Sequence, residues 1–241
     1  MRDLDEIIDD WAPPPRPQNL LLRGDHVQLE PLDAERHAVG LHQAYAKAET
    51  DEDWRWLPYG PFATAADYAD WIRNFAVSSD PYFLAIRDCH DDTLLGVASY
   101  LRVNPEAGSI EVGHIHFSPL LQRRPAATET MYLMMRWAFQ AGYRRYEWKC
   151  NALNRRSRQA AQRLGFSYEG IFRQATLSRG RNRDTAWFAM IDKEWSMLEQ
   201  AFTTWLDDAN FDADGRQRVA LSSLTAPVRV MDDPELTPLQ G

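Results

Sequence analysis

Apolar and polar positions divide the chain into a central stretch of period two flanked by stretches of helical period. Residues 82–87, 93–103 and 109–117 read as strands joined by short turns at 88–92 and 104–108, an antiparallel meander. Ahead of it, Asp33 caps a helix to about residue 47, and Thr64 opens another over 65–78, with Tyr68, Trp71, Ile72 and Phe75 at helical spacing. Behind it, 126–141 is a strongly periodic helix closed by Gly142, and 145–150 is a strand. Asn154 caps a helix over 155–164 that Gly165 closes. Residues 168–177 and 184–191 form a hairpin around 178–183, and 193–206 is a helix. The strand 109–117, the helix after it and the strand 145–150 make a crossover, so those two strands are parallel. The order predicts a mixed α/β fold of the α+β type, with a mostly antiparallel sheet and helices on both faces.

Residues 19–31 hold two apolar runs around Arg23-Gly24-Asp25 and read as a strand pair. Residues 1–19 read as a tail stiffened by Pro13-Pro14-Pro15-Arg16-Pro17, 20–206 as one domain, and 207–241 as a polar, poorly ordered tail. Phe211 and 219–221 are its candidate docking points. With 241 residues, 44% hydrophobic and 12% aromatic, the chain can bury a sizeable core. No apolar run approaches the ~20 residues that cross a bilayer, so no membrane partner is expected. The acidic N-terminus lacks the basic and apolar regions of a signal peptide, which makes a cytoplasmic location the expectation. Cys89 and Cys150 lie far apart, which argues against a disulfide scaffold or a thiolate metal site.

Charge adds an asymmetry. The net charge is −8, yet residues 122–184 hold 14 Lys/Arg against 4 Asp/Glu. A basic stretch in an acidic protein points to a local anionic ligand and argues against nucleic acid, which favours a basic domain overall. The stretch includes Arg123 and Arg124, just before Pro125-Ala126-Ala127 at the start of the periodic helix. First-turn amides have no partners within a helix, and that end is positive, so such a terminus receives phosphate.

The string Asn154-Arg-Arg-Ser157…Gly165-Phe166…Glu169-Gly170 resembles the N-x-x-S…G-F…E-G signature of the GNAT N-acetyltransferases, closest to their RimJ/RimL-like branch. Residues 122–127 resemble that superfamily's Q-x-x-G-x-A pyrophosphate loop, followed by Thr128-Glu129 as in that branch. Gly142-Tyr143, Asp184 and Glu194-Trp195 also fall where such proteins carry G-Y, D and E-W. Pro125 departs from the pattern, standing where glycine is usual and removing one amide.

The resemblance implies a sheet that splays between two parallel strands, here 109–117 and 145–150, with acetyl-CoA as cosubstrate in the cleft. The backbone near Ile115 and Phe117 would pair with pantetheine. Gln122, Arg123, Arg124, Ala126, Ala127 and Thr128 would face the pyrophosphate, and Asn154 would reach the pantetheine arm. The implied reaction is N-acetyl transfer to a primary amine, either a small molecule or a protein N-terminus. Glu111 is the candidate general base, with a structural ion pair as its alternative. His114 and His116, on one strand face, could relay the proton near their ordinary pKa of ~6.5. No third ligand joins them, so no metal is expected. The tyrosine that many such enzymes carry before G-F is absent, with Ala161 in its place, and Ser157 is the candidate acid or sulfur contact. Acceptor binding would fall to the loop 51–61 and the last hairpin at 178–183. Asp53, Trp54, Trp56 and Tyr59 would hold a cation by charge and ring face, although the tryptophans, Trp56 first, could instead plug the core. Two rivals stand beside this reading. One is a CoA-binding regulatory module without turnover; the other is an interaction or RNA-associated domain using the basic face 144–163. A homodimer is left open.

Overall fold

A computed structural model describes residues 7–9, 11–76 and 78–236. Eight strands form one sheet. β1 (Leu22–Arg23) and β2 (Val27–Pro31) precede the meander β3 (Tyr82–Asp88), β4 (Leu94–Asn104) and β5 (Ser109–Phe117). β6 (Arg145–Asn151), β7 (Ser167–Ser178) and β8 (Arg181–Ile191) complete the sheet, in the order β1-β2-β3-β4-β5-β6-β8-β7. Every neighbouring pair is antiparallel except β5 and β6. The sheet is therefore mixed, as its pattern predicts.

Strand alternation sends side chains to two separate cores. Phe83, Ala85 and Val97 face α1 (Ala34–Tyr45) and α2 (Ala65–Trp71). Leu84, Ile86, Ile110, Val112, Tyr146 and Phe188 face α3 (Pro125–Gln140), α4 (Arg155–Arg163) and α5 (Asp192–Leu206). Asp33 and Thr64 cap α1 and α2 through their side chains, Thr64 in a reciprocal box with Asp67. The second helix ends earlier than its periodicity suggests: after Trp71 the chain widens into a π turn over Ile72–Ala76.

Glu129, in the second turn of α3, binds the β1–β2 turn. Its carboxylate accepts from the amides of Asp25, His26 and Val27 at 2.8 Å each. Gly24 makes room, because a Cβ there would lie 2.3 Å from the Glu129 carboxyl carbon. The start of α3 is thereby fixed against the edge of the sheet.

Two expectations are corrected. The hairpin turn is Arg179-Gly180 alone, flanked by the Ser178↔Arg181 pair, rather than 178–183. Both turn residues have positive φ, the geometry whose twist matches a two-residue hairpin. The segment after residue 207 is not loosely ordered as far as Leu236. Phe211 meets Trp205 edge to face, and α6 (Leu221–Thr225) packs on α5 and α4. Beyond it, Asp233, 0% exposed, takes a bidentate pair from Arg158 of α4, 3% exposed, at 2.6 and 2.7 Å. At the other end, Tyr143 donates to the Pro15 carbonyl at 3.0 Å, so the proline run lies against the link between α3 and β6. Residues 1–6, 10 and 237–241 of the two expected tails lie outside the described residues.

A buried charge left without its partner is costly. Asp233→Ala is expected to destabilise the fold by about 3–5 kcal/mol in urea melts, and Arg158→Met with Asp233→Leu to recover most of that loss. A single-variant loss below ~1 kcal/mol, the value of a surface pair, would contradict the burial of this ion pair.

Candidate active site

The site begins where the parallel ladder ends. β5 and β6 stay in register from Ser109↔Arg145 to Val112↔Trp148 and then part. Each continues with its other neighbour, β5 to Phe117↔Gly96 and β6 to Asn151↔Thr185. A bulge drives the separation. On β4, Val97 pairs with His116 and Ser99 with Gly113, so β5 spans the interval with one extra residue. His114 takes a left-handed φ of 49° there, and the Ser99 hydroxyl holds the bend by donating to the Gly113 carbonyl at 3.1 Å.

One end of the resulting wedge is closed by the loop before α3. The Arg124 amide donates to Leu121 O and the Ala127 amide to Arg124 O, while Pro125 has no amide to offer. The Arg123 and Ala126 amides find no acceptor among the described residues. The opposite wall is the start of α4. Asn154 Oδ1 accepts from the Ser157 amide at 3.2 Å, and Ser157 Oγ accepts from the Trp148 indole at 3.0 Å.

Glu111 lies on β5 just before the split and is 2% exposed. Arg102 Nη1 donates to its Oε1 at 2.7 Å. Lys149 Nζ lies 2.9 Å from Oε2, off the line of a hydrogen bond, and 2.7 Å from Glu147. Burial raises the Glu111 pKa, and that effect outweighs the lowering by Lys149 and Arg102.

A strand pair that splays beside open helix-terminus amides is a cradle for an extended, phosphate-bearing ligand. Comparison with known proteins gives that cradle a family. Residues 26–167 match the family model for the acetyltransferase (GNAT) domain. The chain is 42% identical to a GCN5-related N-acetyltransferase from Brucella melitensis, over 91% of this chain and 100% of that one, with a TM-score of 0.88. The chain belongs to the GNAT acetyltransferase family. A probable GNAT-family acetyltransferase from Chromobacterium violaceum is 37% identical over 81% of this chain and 98% of that one, with a TM-score of 0.75. The acetyltransferase MccE, crystallised with acetyl-CoA and AMP, shares the fold at 18% identity over 70% of this chain and 93% of that one, with a TM-score of 0.58. No curated protein matches the chain.

In this GNAT domain the residues singled out by sequence fall into three groups. Glu111, Ile115 and Phe117 lie on β5, and Asn154 and Ser157 at the start of α4. Of the loop residues, Gln122 donates its amide to the Phe117 carbonyl at 2.8 Å and to Asp53 at 3.1 Å. Arg124 Nη1 braces the Leu120 carbonyl at 2.9 Å, whereas the Arg123 side chain is exposed with no described partner. Thr128 is buried and accepts from Arg163 at 3.2 Å.

The acceptor residues do not converge as a cation cage. Asp53 faces Gln122 and Arg156, the latter at 3.9 Å. Trp54, rather than Trp56, is the core plug, packed on Tyr45, Phe62 and His116. Trp56 is half-buried under its neighbour Arg55. Tyr59 stacks on His114 with centroids 5.6 Å apart. The hairpin closes over this loop, since Arg179 donates to the carbonyls of Tyr59 and Gly60 at 3.1 and 3.0 Å.

Sequence reasoning missed Arg102, Lys149 and Trp187 and gave Arg183 only as the end of the acceptor hairpin 178–183; these residues surround Glu111 and His114. The period-two spacing of Glu147 and Lys149 on the strand parallel to Glu111 was the available signal. It also gave the histidines an ordinary pKa. Burial depresses both to about 4, helped at His114 by Arg102 and Arg183 and opposed at His116 by Asp53. Cys150, buried beside Ser157, is pushed up to about 11 and stays a thiol at neutral pH. Among the described residues no three His, Cys, Asp or Glu side chains gather as metal ligands.

Both histidines are therefore neutral in the folded chain at pH 7. Their folded pKa lies below the unfolded ~6.5, so unfolding takes up protons below that pH. Stability from this source is full above pH ~6.5 and falls as pH drops toward 4, by about 3 kcal/mol per ring at most. Ring-proton NMR titration should find two histidines that do not protonate until below pH ~5. A midpoint near ~6.5 for both would refute the assignment.

Proposed function

We propose that this GNAT domain transfers the acetyl group of acetyl-CoA to the nitrogen of a primary amine, on a small molecule or a protein N-terminus. The observation that carries the reading is the wedge between β5 and β6. A buried carboxylate of raised pKa forms its floor, and two acceptor-free amides stand at one end. The fold that MccE shares, crystallised with acetyl-CoA, supports the identity of the donor. Acetyl-CoA supplies an activated acyl group on a thiolate leaving group. The Arg123 and Ala126 amides, with the Arg123 guanidinium, offer the charge that a pyrophosphate needs. Gln122, Arg124, Ala127 and Thr128 shape that loop, Ile115 and Phe117 offer backbone groups, and Asn154 faces them from α4.

An amine acceptor arrives protonated, because an alkyl ammonium has a pKa near ~10. Glu111 takes that proton, directly or through one water. Burial makes it a stronger base than an exposed carboxylate, and Arg102 and Lys149 hold it in place. The neutral histidines are weaker bases than expected and serve as walls. Ser157 receives the Trp148 N–H on a lone pair, and its O–H, which now reaches the Cys150 sulfur, turns to donate to the departing sulfur. Tyr59 stands at the acceptor side, with Trp54 packing behind it; Asp53 and Trp56 lie to either side. The RimJ/RimL-like branch belongs to the same proposal, supported by the N-x-x-S…G-F…E-G string. So does a cytoplasmic location, supported by two free cysteines.

Thiol release with acetyl-CoA and a panel of amines and peptides tests the reaction; no release with any acceptor would refute it. Glu111→Gln should lower turnover ~10²–10⁴-fold near neutral pH, the usual worth of a general base, with the loss shrinking at high pH. Wild-type turnover in that variant across pH 6–9 would remove Glu111 from the chemistry. Ser157→Ala should lower kcat in a chain that stays folded; a drop in melting temperature with normal kcat would make it only the partner of Trp148. Arg123→Ala should raise the Kd for coenzyme A about tenfold, as loss of one charge-assisted contact does. An unchanged Kd would take the residue out of the site.

A further inference from the structure

The acceptor side of the wedge has a polar deficit. Tyr59 Oη, His114 Nδ1, Arg183 Nε and Trp187 Nε1 are buried there without a hydrogen-bond partner. Native proteins leave few such atoms unmatched, and a group of them marks a place where something else supplies the partner. Tyr59 O–H, Arg183 Nε–H and Trp187 Nε1–H are donors and outnumber the one unmatched carboxylate oxygen beside them, Glu111 Oε2, so the missing partner is an acceptor.

The charges agree. Three cations stand around Glu111 and His114 from three strands: Arg102, Lys149 and Arg183. Arg102 is paired with Glu111, and Lys149 with Glu111 and Glu147 while lying 3.8 Å from the Trp187 ring centre. Arg183 has no carboxylate partner among the described residues. The nearby acids are engaged elsewhere. Asp184 accepts from the Gln174 amide and Asn182, Glu169 from Arg145, and Asp53 from Gln122. The positive potential reaches across the cleft, since Arg102 and Arg183 add to the burial that keeps His114 neutral. Arg183 is only half-buried, so its guanidinium borders solvent and can receive a solute.

We infer that Arg183, with Trp187 and Tyr59, forms an oxyanion-binding subsite, and that the acceptor amine carries a carboxylate or phosphate which this subsite holds. The inference rests on the N-acetyltransferase reading for its acceptor, but the anion site itself does not. It reverses the cation preference expected from the acidic loop at 51–53, whose Asp53 faces Gln122 and Arg156 instead. A guanidinium with neutral N–H and O–H donors suits a planar or tetrahedral oxyanion equally, so the test separates the two.

In one arm, the chain saturated with coenzyme A, so that its phosphate loop is filled, is titrated with acetate and with inorganic phosphate. The Arg183 Nε–H and Trp187 indole signals are followed by NMR. Both signals should shift saturably with one anion or both, the tighter naming the group, and the Trp187 shift should vanish in Arg183→Gln. Signals that do not move, or a Trp187 shift that persists in the variant, overturn the inference. In the other arm, Ala-Ala is compared with its C-terminal amide, and phosphoethanolamine with ethanolamine. The anionic member should have a KM about tenfold or more below its neutral partner, and Arg183→Gln should erase that preference. Equal KM values in the wild type overturn the inference. So does an equal fall in kcat for both members in the variant, which would assign Arg183 to the reacting carbonyl. Anion shifts without acetyl transfer to any amine would leave the subsite standing and refute the acetyltransferase reading instead.

Discussion

Two parallel strands stay joined only while both advance in step. β5 and β6 do so for four residue pairs, and then one surplus residue on β5 takes the strand out of step with β4 and away from β6. Everything at the site is arranged by that slip. Glu111 stands at the last joined rungs, His114 is turned toward Tyr59, and the start of α4 faces a gap instead of a ladder. The left-handed His114 backbone has a conformational cost, of order ~1–3 kcal/mol for a non-glycine residue. Its ring recovers part of it by packing against Tyr59 and Phe83. The opening is thus held in place by aromatic contacts on one side and by the Ser99 hydroxyl on the other.

Inside the opening, burial competes with ion pairing. A carboxylate between two cations is normally a poor base; a carboxylate out of water is a better one. At Glu111 burial prevails, because Arg102 stands largely in solvent and Lys149 divides its charge with Glu147. The histidines feel the same burial with the opposite consequence and lose their proton. One desolvated environment therefore raises the pKa of a carboxyl and lowers that of two imidazoles.

Local signals made most of the frame legible. The meander, the crossover helix and the Asp33, Thr64 and Asn154 caps are written in periods and cap residues a few positions apart. The site's outline followed from the same short strings. The bulge did not, because a one-residue slip leaves the apolar pattern of β5 almost unchanged and histidine suits either face. The two-residue hairpin was hidden because Arg179, and not Asn or Asp, takes the left-handed place. Arg183 was visible as one charge in a basic stretch, but its place beside His114 was not. Pairing across 75 residues, as between Arg158 and Asp233, has no local trace at all.

The contact between Gly24 and Glu129 bears on how such a sequence can drift. The carboxylate occupies the space that any side chain at position 24 would need, and three amides depend on it. Loss of the glutamate strands those amides, and gain of a side chain at 24 evicts the glutamate. Neither position can change first without harm, so the two are inherited together. Descendants of this chain should keep both or replace both, and the pair would serve as a lineage marker.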